Sequence, residues 1–403
     1  MTDRGIGRRV RGDAGFTLME LLVSSAIMVL ITGAIFSMMN PAQGAYKVQP
    51  EVSDLQQRLR VGIDTLQKDL VMAGAGTYSG PAAGALSYFI APVMPYNAFS
   101  SPTDPAQGVY FRPDMISLLY VPPTPSQTTL SDPMPQPSAE LKVNPQPNCP
   151  GNLLNQLCGF EEGDRLIIFD PSGNWDTFTV TEVQNAAAHL QHNQQSFTTA
   201  YQVGANVTAI QAAVYYLLSD DATNTHQLRY FDGWNTDLPV VDNVVRLQFQ
   251  YFGDPQPPQL TGKPLTSKPG PWTTYGPSPP ELGISYAGWP PGENCTFQVV
   301  GGQQVPRLAT LGGGGIGQVE LTQAMLSDGP WCPEAGKPSR FDADLLRVRR
   351  VRVTIRVQAA LASLRGPAGT MFLKGGTANA SDRFIPDQEI QFDVTPRNMN
   401  LGR

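Results

Sequence analysis

Gly15-Phe16-Thr17-Leu18-Met19-Glu20 opens an apolar run, from Leu21 to Met39, around which the rest of the chain is organised. Glu20 carries the one formal charge between Phe16 and Met39. At about 1.5 Å per residue, a helix over this stretch is long enough to cross a hydrocarbon core of roughly 30 Å. A carboxylate is costly in hydrocarbon, so Glu20, which we expect to be unpaired in the isolated subunit, requires a partner in another molecule.

Basic residues flank this run on its N-terminal side. Arg4, Arg8, Arg9 and Arg11 precede it, and the next Lys or Arg after it is Lys47. Cytoplasmic flanks of membrane helices are rich in Lys and Arg, so the pattern predicts a cytoplasmic N-terminus and an exported C-terminal bulk. A cleaved secretory signal has a shorter apolar core, which leaves a simple signal anchor as the plainest interpretation.

The same residues suggest a more specific interpretation. Gly15, Phe16 and Glu20, in their Thr-Leu-x-Glu-Leu-Leu context, resemble the type IV prepilin signature. The resemblance implies that a membrane aspartyl peptidase cleaves after Gly15 and methylates the new amino group of Phe16. It also implies that the chain enters a filament, where a neighbouring subunit's N-terminal ammonium offsets the charge of Glu20 among packed apolar helices.

Composition limits the classes of function. The charged fraction is 15% and the net charge is −6, so the chain has no basic footprint for nucleic acid. Gly and Pro number 39 and 37, almost a fifth of the 403 residues, which indicates many turns and irregular loops. We find no internal repeat, and an all-β fold with long insertions accommodates this length in one domain.

Four cysteines lie on the exported side of the apolar run: Cys149, Cys158, Cys295 and Cys332. Export implies an oxidising compartment, so we expect disulfides. Of the three possible pairings we favour Cys149 with Cys158 and Cys295 with Cys332, because each pair brackets an insertion rich in Pro and Gly. A zinc site is the alternative, but the chain lacks a Cys-x-x-Cys motif.

A second helical pattern follows the apolar run. Pro41 and Gly44 predict a kink or short break near the bilayer surface. Apolar residues then recur at spacings of three and four, which predicts an amphipathic helix packed on a sheet and ending near residues 73–76. These residues are Val48, Val52, Leu55, Leu59, Ile63, Leu66 and Leu70. Residues 55–74 resemble the region after the anchor in PilW-family minor pilins, with Val71 where Arg is usual.

The remainder favours β-structure. Short runs rich in β-branched and aromatic residues predict strands over residues 114–121, 163–170, 175–183, 212–218, 227–231, 244–251, 345–360 and 389–395. The second and third form a hairpin around residues 171–174. We expect irregular insertions near 124–160 and 252–317, and a short helix over 318–327. Residues 396–400 resemble a C-terminal ending common in PilW-like sequences.

Two strands have distinct faces by alternation. Val245, Leu247, Phe249 and Tyr251 share one face of the 244–251 strand. In the 345–360 strand, Val351, Val353, Ile355 and Val357 form an apolar face, opposite a basic face made by Arg350, Arg352 and Arg356. The basic face is either solvated or meets an acidic face of a neighbouring subunit.

Catalytic signals are few. His189 and His192 lie three residues apart without a carboxylate-rich helix, His226 is isolated, and no Gly-x-Ser-x-Gly or His-Glu-x-x-His motif occurs. Residues 170–176 and 219–225 carry oxygen ligands that a calcium ion would accept, but their spacing favours Asx-rich turns. We therefore predict a non-enzymatic protein without a cofactor or metal.

These observations predict an α+β, pilin-like fold: a long N-terminal helix on an antiparallel sheet with large insertions. Its parts are a leader (1–15), a transmembrane or filament-core helix (16–40), an amphipathic helix (41–76) and a β-rich exported domain (77–403).

The resemblance implies a minor pilin that initiates assembly or lies at the pilus tip, first in the bacterial inner membrane and then at the cell surface. Implied partners are the prepilin peptidase, other pilins and a tip adhesin. The alternatives are a J-type minor pseudopilin of type II secretion and an anchored exported enzyme.

Overall fold

A computed structural model describes residues 15–76, 86–99, 111–261, 273–365 and 385–400, with gaps at 124–125, 137, 139, 147–148, 150–154, 171, 194, 221, 224, 287, 316, 335 and 338–339. At 38–47, 314, 363 and 400 it describes the backbone alone. Arg4, Arg8, Arg9, Arg11 and the leader before Gly15 lie outside the described residues. The chain divides into two compact units, Met1–Asp54 with Leu361–Pro386, and Leu55–Ala360 with Asp387–Arg403.

Helix α1 runs from Leu18 to Met72. Of the kink or short break expected at Pro41 and Gly44, the break is wrong, because one helix continues through both residues, and the kink stays a prediction. A proline inside a helix removes a single backbone hydrogen bond, which a long helix tolerates. The helix ends where predicted: Gly74 has a φ of 74°, the left-handed conformation that terminates many helices, and its N–H donates to the carbonyl of Leu119 at 2.9 Å.

Antiparallel strands are the main regular elements of the second unit. In chain order they are β1 (Val93–Met94), β2 (Met115–Tyr120), β3 (Gln127–Thr129), β4 (Glu140–Lys142), β5 (Arg165–Phe169), β6 (Trp175–Thr179), β7 (Glu182–Gln184), β8 (His189–Gln191), β9 (Asn206–Ala209), β10 (Gln211–Asp220), β11 (Thr225–Phe231), β12 (Asp237–Asp242), β13 (Val244–Gly253), β14 (Phe297–Val300), β15 (Gln303–Pro306), β16 (Val319–Leu321), β17 (Trp331–Cys332), β18 (Phe341–Asp342), β19 (Val348–Val357) and β20 (Gln388–Val394). Short 3₁₀ helices lie at Leu86–Tyr88, Gly312–Gly314, Ala324–Leu326, Ala343–Arg347, Ala362–Leu364 and Arg397–Asn400.

The second unit has a body of two sheets and part of α1. Their strand orders are β1-β2-β10-β11-β12 and β16-β13-β19-β20. Leu55, Leu59, Leu66 and Leu70 of α1 are buried, as the apolar stripe predicts. At Gly62 an added Cβ would lie 3.1 Å from Ile355 Cδ1 and 3.3 Å from Val241 Cγ2, so the helix approaches β12 and β19 closely there. The α+β class and the predicted helix-on-sheet contact within this unit are therefore present.

The face predictions hold with two corrections. Leu247, Phe249 and Tyr251 of β13 are buried, but a register shift near its start buries Val244 and leaves Val245 half-buried. Such a β-bulge moves the flanking side chain to the other face. In β19 the four apolar residues from Val351 to Val357 are buried as expected. The segment before Val348 is a 3₁₀ helix rather than part of the strand.

A compact inserted module occupies residues 126–210, between β2 and β10. Its two sheets have the orders β3-β9-β5-β6 and β4-β8-β7, and they enclose a separate hydrophobic core that includes Leu166, Phe178 and Leu190. The prediction of an irregular insertion near 124–160 is therefore wrong in part, since β3 and β4 lie within it. The β5–β6 hairpin is confirmed, although β6 ends at Thr179 and residues 182–184 join the other sheet.

A second excursion lies between β13 and β19. The expected irregular insertion near 252–317 contains the hairpin β14–β15. The helix expected over 318–327 is instead the strand β16 followed by one 3₁₀ turn at Ala324–Leu326. β16 extends the sheet by pairing with β13, where Leu321 lies opposite Tyr251. Long-range pairing thus overrides local helical preference here.

Candidate functional site

The most distinctive surface of the first unit is the start of α1. Leu18–Ser37 is long and apolar enough to span a membrane, and none of it is buried. Phe16 is 91% exposed and Leu30 is 74% exposed. A helix that is apolar on every side requires hydrocarbon or other helices around it. The segment therefore fits a membrane anchor, and its position near the N-terminus also fits a signal sequence.

Polar groups in this segment are satisfied locally. Thr17 donates to Glu20 Oε2 through its backbone N–H and its hydroxyl, both at 2.9 Å, while Glu20 N–H donates to Thr17 Oγ1 at 3.3 Å. This reciprocal arrangement is a capping box, which satisfies backbone donors at a helix start. The carboxylate is therefore hydrogen-bonded within the helix, while its need for a cationic partner in another subunit stays a prediction. The sequence contains the pattern typical of a capping box, Thr-x-x-Glu before an apolar run, at Thr17 and Glu20.

Serine hydroxyls along the segment are also bonded within the helix. Ser24 Oγ donates to the carbonyl of Glu20 at 2.6 Å, Ser25 Oγ to Leu22 at 2.9 Å, and Ser37 Oγ to Ala34 at 2.8 Å. Hydrocarbon offers no hydrogen-bond partners, so such internal bonds lower the cost of placing a hydroxyl there. Glu20 is the charged exception within an otherwise neutral surface.

The cysteines form two disulfides, Cys149–Cys158 and Cys295–Cys332, which are the pairs favoured from the sequence. The first links positions nine residues apart in the inserted module. The second joins residues 37 apart, and attaches Cys295, two residues before β14, to Cys332 of β17. Each crosslink restrains a segment rich in turns, because it limits the conformations of the unfolded chain.

The basic face of β19 is paired within the chain. Arg350 and Arg352 both contact Asp393 of β20, at 2.8 and 2.7 Å, and Arg356 lies 3.8 Å from Asp387. Hydrogen bonds from Arg352 hold the pKa of Asp393 below its usual value. The arginines remain partly exposed while they pair with these carboxylates, and contact with an acidic face of a neighbouring subunit stays a prediction. The alternating sequence pattern predicted which face of β19 carries the arginines, but it did not predict that Asp393 and Asp387 would lie beside them.

The three histidines occupy separate environments. His226 Nδ1 lies 2.7 Å from Ser219 Oγ, and His189 Nδ1 lies 3.6 Å from Glu140 Oε2. His192 is fully buried in the core of the inserted module. Because the structure does not bring these imidazoles together, the interpretation of the His189–His192 spacing as a ligand pair gains no support.

Both oxygen-rich segments are Asx turns, as favoured from the sequence. Asp170 Oδ1 accepts hydrogen bonds from the backbone N–H groups of Ser172 at 2.9 Å and Asn174 at 3.1 Å. Asp220 Oδ1 accepts from Ala222 N–H at 2.9 Å. The carboxylates thus bind the turns in which they occur.

One buried ionic group escaped the sequence interpretation. Asp328, Asp342 and Asp344 converge near β18, and Arg347 Nε lies 2.5 Å from Asp344 Oδ1. Burial raises the pKa of Asp342 to about 8 and that of Asp344 to about 6. Arg347 has no exposed surface, so this pair compensates charge inside the body. The alternating pattern predicted a strand at Arg347. The residue instead lies in a 3₁₀ helix, where it reaches Asp344 three positions earlier, so the sequence pattern did not indicate this ion pair.

Comparison with known proteins adds no family assignment. No family model and no curated protein matches the chain. Among solved structures, Phage phi92 endosialidase aligns with 10% identity and a TM-score of 0.15, over 72% of this chain and 54% of that one. The chain thus spans about half the length of that endosialidase, and similarity this low carries no argument about fold or activity.

Proposed function

We propose that this chain is a membrane-anchored structural subunit of the type IV prepilin-like class, a minor pilin that primes assembly or lies at the filament tip. The observation that carries the proposal is the helix Leu18–Ser37, which has no buried residue and begins three residues after Gly15. Other apolar helices in a filament would cover this surface as hydrocarbon does before assembly. The helix-on-sheet body of the second unit is compatible with a pilin-like exported domain.

Glu20 is the proposed assembly contact. Both Thr17 hydrogen bonds end on Oε2, and no hydrogen bond to Oε1 is seen within residues 15–76 and the other described ranges, so Oε1 is the oxygen we assign to a cationic partner. Cleavage after Gly15 would create an ammonium on Phe16, and the same group on a neighbouring subunit supplies a charge of the required sign. A buried carboxylate and ammonium stabilise a contact only as a pair, so removing one partner is strongly destabilising.

Gly15→Ala tests the processing step. A Cβ at Gly15 meets no atom within 4 Å, so the substitution leaves the local structure undisturbed. We expect the precursor to accumulate at the expense of the mature form on immunoblots, whereas Gly33→Ala, within the same apolar helix, is processed normally. Mature protein of normal size and amount in Gly15→Ala would contradict the proposal.

Glu20→Gln separates the charge from the helix cap. Gln supports a capping box as Glu does, whereas Glu20→Ala removes both the cap and the charge. We expect both variants to remain in the membrane fraction and both to be depleted at least tenfold from sheared filaments. If Glu20→Gln entered filaments normally and Glu20→Ala did not, the carboxylate would serve the helix start alone.

A further inference from the structure

His192 lies in the core of the inserted module. His192 has no exposed surface, and neither ring nitrogen has a hydrogen-bond partner among the residues that the structure describes. The ring centroid of Phe197 is 4.5 Å away and that of Phe178 is 5.6 Å away. The imidazole is thus packed as an aromatic side chain. The backbone of Gln195 and of His192 itself offers it only weak polar contact, without a well-formed hydrogen bond.

The charged groups of the surrounding elements are engaged elsewhere. In chain order, the titratable groups on the strands of the module and on segments that contact them include Glu140, Arg165, Asp176, Glu182, His189, Tyr201 and Lys337. Asp176 accepts from Tyr201 Oη at 2.8 Å. Lys337 Nζ donates to Thr199 Oγ1 at 3.1 Å. His189 pairs with Glu140 on the face of β8 opposite the buried Leu190. Each of these groups is thus bonded to a partner other than His192.

Burial of this kind opposes protonation. It lowers the pKa of His192 below the ordinary 6.5. The neutral ring therefore contributes stability that is fully present above pH 6.5 and is lost as the pH falls below it, because the unfolded chain takes up the proton more readily. Asp176 acts in the opposite direction: burial raises its pKa to about 6, so proton uptake below that pH favours the folded form.

We propose that His192 makes the inserted module an acid-sensitive element. In mildly acidic solution an opened module, whose imidazole is hydrated and protonated, gains population, while the body of the same unit remains folded. The inserted module has its own hydrophobic core, so it is able to open as a cooperative substructure. The inference does not depend on the proposed filament role.

Hydrogen exchange of the full-length chain in detergent micelles tests the proposal. A histidine that stays neutral in the closed module multiplies the open population by up to about thirtyfold at pH 5. Protonation of Asp176, whose pKa is about 6, offsets roughly tenfold of this factor at pH 5. After correction for intrinsic exchange rates, we expect peptides from β5 and β6 to exchange up to about threefold faster at pH 5 than at pH 7.5 in the unmodified chain, and up to about thirtyfold faster in Asp176→Asn. Peptides from β13 and β19 are the internal control. An equal acid response in both sets would overturn the proposal.

Two variants test whether the His192 imidazole causes the faster exchange of β5 and β6 in acid. His192→Phe and His192→Leu are permanently neutral and apolar, so the extra acid response of β5 and β6 is expected to disappear. Asp176→Asn removes the opposing group, so the response is expected to grow by up to about tenfold at pH 5. An unchanged response in His192→Phe would refute the role of His192.

Proton NMR of the unmodified chain gives a readout that does not require any variant to fold. The His192 ring signal is expected to remain at its neutral position from pH 7.5 to 5.5, with His189 and His226 as references. A His192 titration midpoint at or above pH 6.5 would overturn the proposal.

Discussion

The two ends of α1 share one secondary structure but have opposite apolar patterns. Leu18–Ser37 is apolar on all sides and entirely exposed. Residues 55–72 instead carry apolar residues every three or four positions, and bury Leu55, Leu59 and Leu66. A helix surrounded by hydrocarbon has no preferred face, whereas a helix on a sheet has one. The pattern therefore reports which environment each part of the helix occupies.

Replacing a buried leucine is expected to have the largest effect on stability. Leu66 has no exposed surface, so Leu66→Ala leaves a cavity and should lower the free energy of unfolding by about 2–5 kcal/mol. Leu30→Ala, in the exposed part of the helix, should change it by less than about 0.5 kcal/mol. Urea denaturation in detergent measures the free energy of unfolding of both variants. Equal losses would mean that the two parts of α1 are buried alike.

Asp69 is expected to have an intermediate effect. It is 8% exposed and accepts hydrogen bonds from Tyr215 Oη at 2.6 Å and Tyr120 Oη at 3.3 Å. Asp69→Ala leaves these hydroxyls without their acceptor and should cost about 1–3 kcal/mol. Asp64→Ala is the matched control, since Asp64 is on the same helix and largely exposed, with a surface ion pair to Arg60. A similar loss in both variants would show that the tyrosine contacts add nothing.

Adding a methyl group should have the smallest effect, and the size of that effect differs between the two parts of α1. At Gly33 an added Cβ meets no atom within 4 Å, so Gly33→Ala should stabilise the local helix by about 0.5–1 kcal/mol. At Gly62 the same gain is opposed by Ile355 Cδ1 at 3.1 Å, so Gly62→Ala should fall within about 0.5 kcal/mol of zero. Hydrogen exchange of helix amides distinguishes them. Equal gains would indicate that the helix is not closely packed at Gly62.

Sequence patterns predicted the elements that local chemistry specifies. β2, the β5–β6 hairpin, β10 and β20 all coincide with runs of β-branched and aromatic residues. β3 and β4 were missed because each has three residues, too few for a period, and each depends on a distant partner: Gln127 pairs with Thr208. The bulge at Val244 was missed because alternation assumes an unbroken register.

The candidate site shows the same division. The sequence pattern marks Gly15, Phe16 and Glu20 as candidates, which stays a prediction. It also contains the Thr17–Glu20 cap that the structure shows, because capping depends on neighbours in the chain. It located the arginines of β19 but not their partners. Asp393 and Arg352 are 41 residues apart, and only the pairing of β19 with β20 brings them together. Partners that depend on strand pairing cannot be read from local spacing.

The position of the inserted module has a consequence for how the chain folds. Tyr120 of β2 lies opposite Gln211 of β10, with residues 121–210 between them. Bringing two strands together across so long a loop costs entropy that grows with the logarithm of its length. The N–H of Ala209 donates to the carbonyl of Ser126 at 2.8 Å, so a module that folds first already holds its ends together. By the same scaling this shortens the effective loop and saves about 2 kcal/mol of closure entropy. During folding, a module that is already folded would act as a short connection between β2 and β10, as a tight turn does in a β-hairpin.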